Sequence, residues 1–273
     1  MDLYTDTAYQ LSRQLTLRYS TSFGKSTLLF SKSIQPHIFA IYGLVRIADE
    51  IVDTYNGANK ADLLANLEAE TYEAISHQYS PNPIVHAFAL TAAQFGITDE
   101  LIRPFFESMR LDLKPQRYNK KLYNAYIYGS AEVIGLMCLH VFTEGDARAY
   151  AALEKGAKAL GAAYQKVNFL RDIASDYHDR ERVYFPGVAF ETFSDADKQF
   201  IIEEISQDFT TAKPTLQQLP VGARRAVTLS FQYYSELLRI LRHTPAETLR
   251  SKRVRVPTYK KFLIGVTSAR GQR

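Results

Sequence analysis

Two short acidic patterns carry the chemistry that this sequence offers. Asp49 and Asp53 stand one helical turn apart in Arg46-Ile47-Ala48-Asp49-Glu50-Ile51-Val52-Asp53, and Asp172 and Asp176 repeat the spacing in Asn168-Phe169-Leu170-Arg171-Asp172-Ile173-Ala174-Ser175-Asp176. On a helix such residues share one face. Like charges stacked in this way repel unless a cation or an arginine lies between them, and Mg²⁺, which takes oxygen ligands and shares them with phosphates, meets that need. Arg46 joins the first face; Asn168 and then Gln165 extend the second. Apolar neighbours (Ile47, Ile51 and Val52; Leu160, Val167 and Leu170) argue against a generally solvated surface. Either pair alone also fits an ordinary solvated helix. Two stripes facing each other across a cavity can hold about three Mg²⁺ around a diphosphate and draw electrons into it as a leaving group. The allylic cation left behind needs a dry, apolar enclosure.

The chain can build one. Its 273 residues are 46% hydrophobic and 23% charged, with 18 Tyr and 16 Phe, a composition suited to an apolar cavity and equally to an ordinary core. Cys138, the single cysteine, sits in an apolar run and reads as a small buried hydrophobe, so nothing points to an oxidising compartment. The polar, acidic start carries no signal pattern, and no apolar stretch is expected to reach the roughly 18 to 20 residues that span a bilayer; a cytoplasmic chain is expected. The net charge is +4, yet from Thr248 onward there are eight Lys or Arg and no acid. Such a tail is either simply solvated or a contact for phosphate or the inner face of an anionic membrane. It has no nucleic-acid motif, and no nucleic-acid partner is expected.

The elements that must position these residues are helices. Pro36 starts one that runs through Tyr42, Arg46, Asp49 and Asp53 to Asn56-Gly57. Thr98 is expected to cap another, with Pro104 tolerated in its first turns. Two longer helices follow, about Lys120 to Phe142 and Asp146 to Asp176, then a charged loop, His178 to Arg182. Ser194 and Asp197 form a capping-box pattern, and a last long helix follows Pro220. With no linker or repeat, residues 1–273 read as a single all-α domain.

In these motifs the chain resembles the squalene/phytoene synthase family nearly end to end. The resemblance rests on Tyr19-Ser20-Thr21-Ser22-Phe23, on Tyr42 to Asp53, on Tyr126-Ile127-Tyr128-Gly129-Ser130-Ala131-Glu132-Val133-Ile134-Gly135, on Gln165 to Asp176 and on Arg182-Val183-Tyr184-Phe185-Pro186. It implies an isoprenoid-synthase-type helical bundle around a central apolar cavity, and head-to-head (1′-1) condensation of two prenyl diphosphates through a cyclopropylcarbinyl diphosphate. Asp49, Asp53, Asn168, Asp172 and Asp176 are then the metal and diphosphate ligands, for Mg²⁺ with Mn²⁺ as the alternative ion. Arg46, Arg171 and Arg182 contact phosphate, Gln165 supports the site, and Arg253 falls near a family phosphate-contacting arginine. A purely structural ion pair is the other role open to Arg171. Tyr42, Tyr128 and Tyr184 orient diphosphate or steer the cation, unless they are core tyrosines; Ser20, Ser22 and Phe23 form a flap over one substrate. Two departures from the family pattern are Glu132, where relatives often carry a small residue, and Tyr19 and Thr21, where they often carry basic ones.

The central tyrosine-rich segment and Lys166 to Asp172 look most like bacterial phytoene synthases, which take two geranylgeranyl diphosphates and need no NADPH. Squalene, presqualene-diphosphate or dehydrosqualene synthesis from farnesyl diphosphate stays open, as does a phosphatase that releases farnesol. Non-catalytic assembly factors of the family typically lose aspartates, whereas all four stand here. Phe30, Met137, Leu160 and Phe169 are the side chains expected to set chain length; oligomeric state is not legible.

Overall fold

The computed structural model describes residues 1–20, 24, 26–114 and 117–270, apart from the side chains of 262 and 266–270. Among them every regular element is helical, and the single β-bridge joins Arg117 to Val183. Helix α1 is Leu3–Tyr19, capped by the Asp2 carboxylate on the Thr5 amide. Helix α2, Gln35–Asp49, has proline in its first turn and passes into a π-turn, Glu50–Thr54. Then come α3 (Lys60–His77), α4 (Pro83–Phe95) and α5 (Asp99–Leu111). Helix α6 (Lys120–Ile127) is joined to α7 (Val133–Thr143) by a second π-turn, Tyr128–Glu132. Helix α8 (Ala147–Arg180) is the longest element; α9 (Asp195–Ala212), α10 (Val221–His243), the short α11 (Ala246–Leu249) and α12 (Thr258–Arg270) complete the chain.

Ser194 and Asp197 form the expected capping box at the start of α9. Three local expectations are corrected. Thr98 precedes α5 without a side-chain bond to its backbone. Helix α8 runs one turn further than expected, because Arg180 pairs with Asp176 across that turn and cationic side chains favour a helix C-terminus. The continuous stretch Lys120–Thr143 is, after all, long and apolar enough to cross a membrane, but half of its apolar window is buried inside the fold, as befits a core helix.

Two apolar clusters hold the bundle. One joins α2, α4, α5 and α7, with Leu44, Phe88, Phe105 and Leu136 at its centre. The other joins α6, α8, α9 and α10, through Tyr123, Val167, Ile202 and Leu241. The helices between them approach backbone to backbone. A Cβ on Gly129 would lie 2.2 Å from the Pro104 carbonyl oxygen, and one on Gly161 would lie 2.5 Å from that of Ala131. Only glycine permits these approaches, which draw the second π-turn between α5 and α8 and set one wall of the space that the bundle encloses.

Candidate active site

That space is a cavity of about 1080 Å³. Its walls are apolar, with Phe30, Ile134, Cys138, Leu160, Leu216 and Val227 among the lining residues, and its polar end carries Asp49, Asp53, Asn168, Asp172 and Asp176. The two acidic stripes meet there. Arg180 is the direct link: its Nη1 donates to Asp176 Oδ1 at 2.9 Å, and its Nε lies 3.6 Å from Asp53 Oδ1.

Arginines surround the carboxylates. Arg171 grips Asp172 with both Nε (2.9 Å) and Nη2 (2.5 Å), and Arg253 reaches the same carboxylate from the C-terminal segment, Nε to Oδ1 at 2.7 Å. Arg46 pairs with Glu50 and stands 3.9 Å from Asp49, while its guanidinium lies 4.3 Å from the centre of the Tyr19 ring. Tyr19 thus supplies a π-face to Arg46.

Charge remains unbalanced. Burial first, and then the neighbouring Asp53, push the Asp49 carboxyl up to about 7 against the opposing pull of Arg46. Burial and then Asp172 push Asp176 up to about 7 as well, although Arg180 opposes them. About a third of the Asp49 side-chain surface (34%) is open, but it opens on the cavity, so the carboxylate is both reachable and poorly solvated.

Three residues of this network escape a reading based on spacing. Asp112, just past α5, is almost fully buried, and it accepts from Tyr126 at 2.5 Å and Tyr184 at 3.2 Å, with Arg182 Nη1 at 3.4 Å. Burial pushes it up to about 6 even though Arg182 pulls the other way. Its one available signal is a lone acid between two leucines, Leu111-Asp112-Leu113. Arg180 falls, by sequence, in the charged loop after the second acidic motif, and Tyr126 stands two residues before Tyr128, the tyrosine expected at the site.

The family model for squalene/phytoene synthase matches residues 16–260. The chain belongs to this family. Among its relatives, the 15-cis-phytoene synthase of Synechococcus elongatus is 28% identical, over 93% of this chain and 90% of that protein. The phytoene synthase of Arthrospira platensis is 27% identical, over 94% and 90%. Among solved structures, a dehydrosqualene synthase superposes with a TM-score of 0.80 at 22% identity, covering 97% of this chain and 96% of that one. A squalene synthase from Alicyclobacillus acidocaldarius gives 0.76 at 19% identity, over 89% and 95%. The fold is therefore the all-α isoprenoid-synthase bundle around a central apolar cavity.

Within this squalene/phytoene synthase fold, Tyr42, Arg46, Gln165, Arg171, Arg182, Tyr184, Arg253 and Ser20 all line the cavity together with the five acidic and amide residues of the two stripes. Ser22 and Phe23 lie outside the described residues. Gln165 donates to Ser130 at 3.4 Å, and burial pushes the Tyr42 phenol up to about 12. Tyr128 is not among the lining residues; Tyr126, two residues earlier and so on nearly the opposite face, takes that place. Arg182 lines the cavity as well, and its donors go to Asp53, Tyr184 and the Asp112 carbonyl, so it braces the site. Of the side chains expected to set chain length, Phe30, Leu160 and Phe169 reach the cavity, whereas Met137 is buried in the core and Cys138 lines the wall beside it. Phe169 lies flat on Tyr184, with centroids 3.8 Å apart at 6°, at the polar end rather than the floor. Glu132 is half-buried and faces Lys158 and Lys166 on the side of α8 away from the cavity, which resolves the departure at that position.

The donor set fits hard cations. Asn168 Oδ1 is buried without a hydrogen-bond partner, and two of the four aspartates are pushed up by burial and by each other's charge. Among the described residues no three acidic or imidazole side chains converge on one point, so an ion here would complete its sphere with oxygens of the substrate.

Proposed function

We propose that this chain condenses two geranylgeranyl diphosphates head to head to give phytoene, a step of carotenoid biosynthesis, with Mg²⁺ as cofactor and without NADPH. The observation that carries the reading is the meeting of both acidic stripes, through Arg180, at one end of a large apolar cavity. Its volume of about 1080 Å³ stands at the upper limit of the roughly 300–1,000 Å³ of ordinary small-molecule pockets, as two long prenyl chains require. Relatives matched over nine-tenths of their length are phytoene synthases, which supports the substrate and product.

Asp49, Asp53, Asn168, Asp172 and Asp176 would hold Mg²⁺, which when bound offsets diphosphate charge and makes diphosphate a better leaving group. Arg46, Arg171 and Arg253 border the same space; with Asp172 committed to a bound ion, the guanidinium donors of Arg171 and Arg253 would be free for phosphate oxygens, and Arg46 would reach them from beside Asp49. In the first half-reaction the C1–O bond of one substrate breaks, and its electron pair leaves with diphosphate. The double bond of the second substrate attacks that carbon, and proton loss closes the cyclopropane. In the second, the new diphosphate leaves, the skeleton rearranges and a proton is lost. Phe30, Ile134, Leu160 and Val227 keep water away from each cation.

The test is incubation of pure protein with Mg²⁺ and geranylgeranyl or farnesyl diphosphate, with and without NADPH, followed by lipid identification. A C40 polyene formed without NADPH is expected; a C30 product, or prenyl alcohol alone, overturns the assignment.

A further inference from the structure

The apolar end of the cavity lies beneath an unusual piece of surface. Leu28, Leu29 and Val221 are 41%, 39% and 80% exposed. They come from distant parts of the chain and are brought together where the Ser31 amide donates to the Gly222 carbonyl at 2.9 Å and Gly222 packs on Ser31 and Ile34. Immediately behind them, Phe30 and Leu219 are buried and line the cavity, with Phe30 packed on Phe142 at 5.2 Å.

The two segments that carry this patch contribute charge of one sign, while the loop after Phe142, behind Phe30, carries Glu144 and Asp146. Residues 26–48 contain Lys32 and Arg46 and no acid; residues 209–235 contain Lys213, Arg224 and Arg225 and no acid. Lys32, Lys213 and Arg225 are exposed, and Arg225 shares the face of α10 that carries Val221, one turn on. The basic tail is a weaker candidate for the same partner, because part of its charge is spent internally: Arg253 on Asp172 at 2.7 Å and Lys260 on Glu236 at 2.8 Å.

We propose that the Leu28-Leu29 turn and the start of α10 dock this protein on an anionic bilayer, with the leucines and Val221 in the headgroup–acyl boundary and the basic rim on lipid phosphates. Exposed leucine beside Lys and Arg is the combination that an anionic membrane surface selects. The placement rests on the proposed function for its purpose. A condensed hydrocarbon has lost both diphosphates and has no polar handle, so it leaves most readily from the apolar end of the cavity, where Phe30 and Leu219 lie between it and the docked face.

Cosedimentation of the full chain with phosphatidylcholine vesicles, with and without phosphatidylglycerol, tests this. Binding should need the anionic lipid and weaken with salt. Leu28→Ser/Leu29→Ser/Val221→Ser should lose at least tenfold in binding while turning over detergent-dispersed substrate as before. Lys32→Gln/Arg225→Gln should lose about thirtyfold, whereas Lys252→Gln/Lys260→Gln should change little. Unchanged binding by the triple variant, loss centred on the tail variant, or self-association through the leucines without vesicle binding would each overturn the proposal. Vesicle binding that persists in a preparation without condensing activity would count against the proposed function and leave the docking face standing.

Discussion

Arg182 Nη1 lies 2.7 Å from Asp53 Oδ1, and its side chain is only 6% exposed. The same guanidinium donates to the Asp112 carbonyl and to Tyr184, so one buried arginine, 129 positions from Asp53, ties the first acidic motif to Asp112 and to the tyrosine cluster behind the site. Removing it strands Asp112 and loosens Asp53. Arg182→Ala should lower stability by about 3–5 kcal/mol, the usual cost of breaking a buried pair. Arg182→Lys keeps the charge without the fork and should recover only part of it. Urea unfolding at constant slope measures both, and an alanine variant within 1 kcal/mol of wild type would show that the arginine braces nothing.

The pH dependence of the metal-free protein has a definite sign. Asp49 and Asp176 titrate near 7 in the folded chain against 3.8 ordinarily. A group raised on folding contributes stability that is complete below its unfolded value and is lost as pH rises through its folded value. Melting temperature in chelator should therefore fall from about pH 4 to 7 relative to Asp49→Asn/Asp176→Asn, which lacks both titrations. Buried His37, lowered to about 4, acts oppositely by destabilising the fold as pH drops below 6.5, and it cancels in that comparison. Parallel melting curves for the two proteins across this range would refute the account.

Mg²⁺ and inorganic pyrophosphate together should raise the melting temperature of the wild type. At a hundredfold excess over Kd, linkage stabilises by about 2.7 kcal/mol. Chelator should abolish the shift, and Asp172→Asn should reduce it. A calorimetric scan unchanged by the saturating pair would argue that the stripes hold no metal-bound diphosphate.

Cavity length should follow the lining side chains. Cys138 and Leu160 line the wall, and enlarging either one fills space that the distal isoprene units need. Leu160→Phe or Cys138→Phe should reduce kcat/KM for the C20 substrate about 10–200-fold and affect the C15 substrate much less. Met137→Phe, in the core, should instead cost stability and treat the two substrates alike. Product analysis with both substrates distinguishes these outcomes.

What the sequence determined alone is whatever acts within a helical turn. The Asp172–Asp176 spacing, the Gln165 and Asn168 extension, the Ser194 capping box and the helical class all rest on periodicity, which geometry over four residues enforces, whereas between Asp49 and Asp53 the α-helix gives way to a π-turn. Tertiary structure decided the rest. Asp112 has no local partner and gains its place because α5 ends where Arg182, Tyr126 and Tyr184 converge. Tyr126 faces the cavity and Tyr128 does not, because the packing of Gly129 on α5 and of Gly161 on Ala131 fixes the rotation of that segment at its π-turn. The arginines behave likewise. Spacing can say that Arg182 follows the second motif, but only the folded chain shows that its donors are already committed to Asp53, Tyr184 and the Asp112 carbonyl, since hydrogen bonds between distant segments form only once the bundle closes.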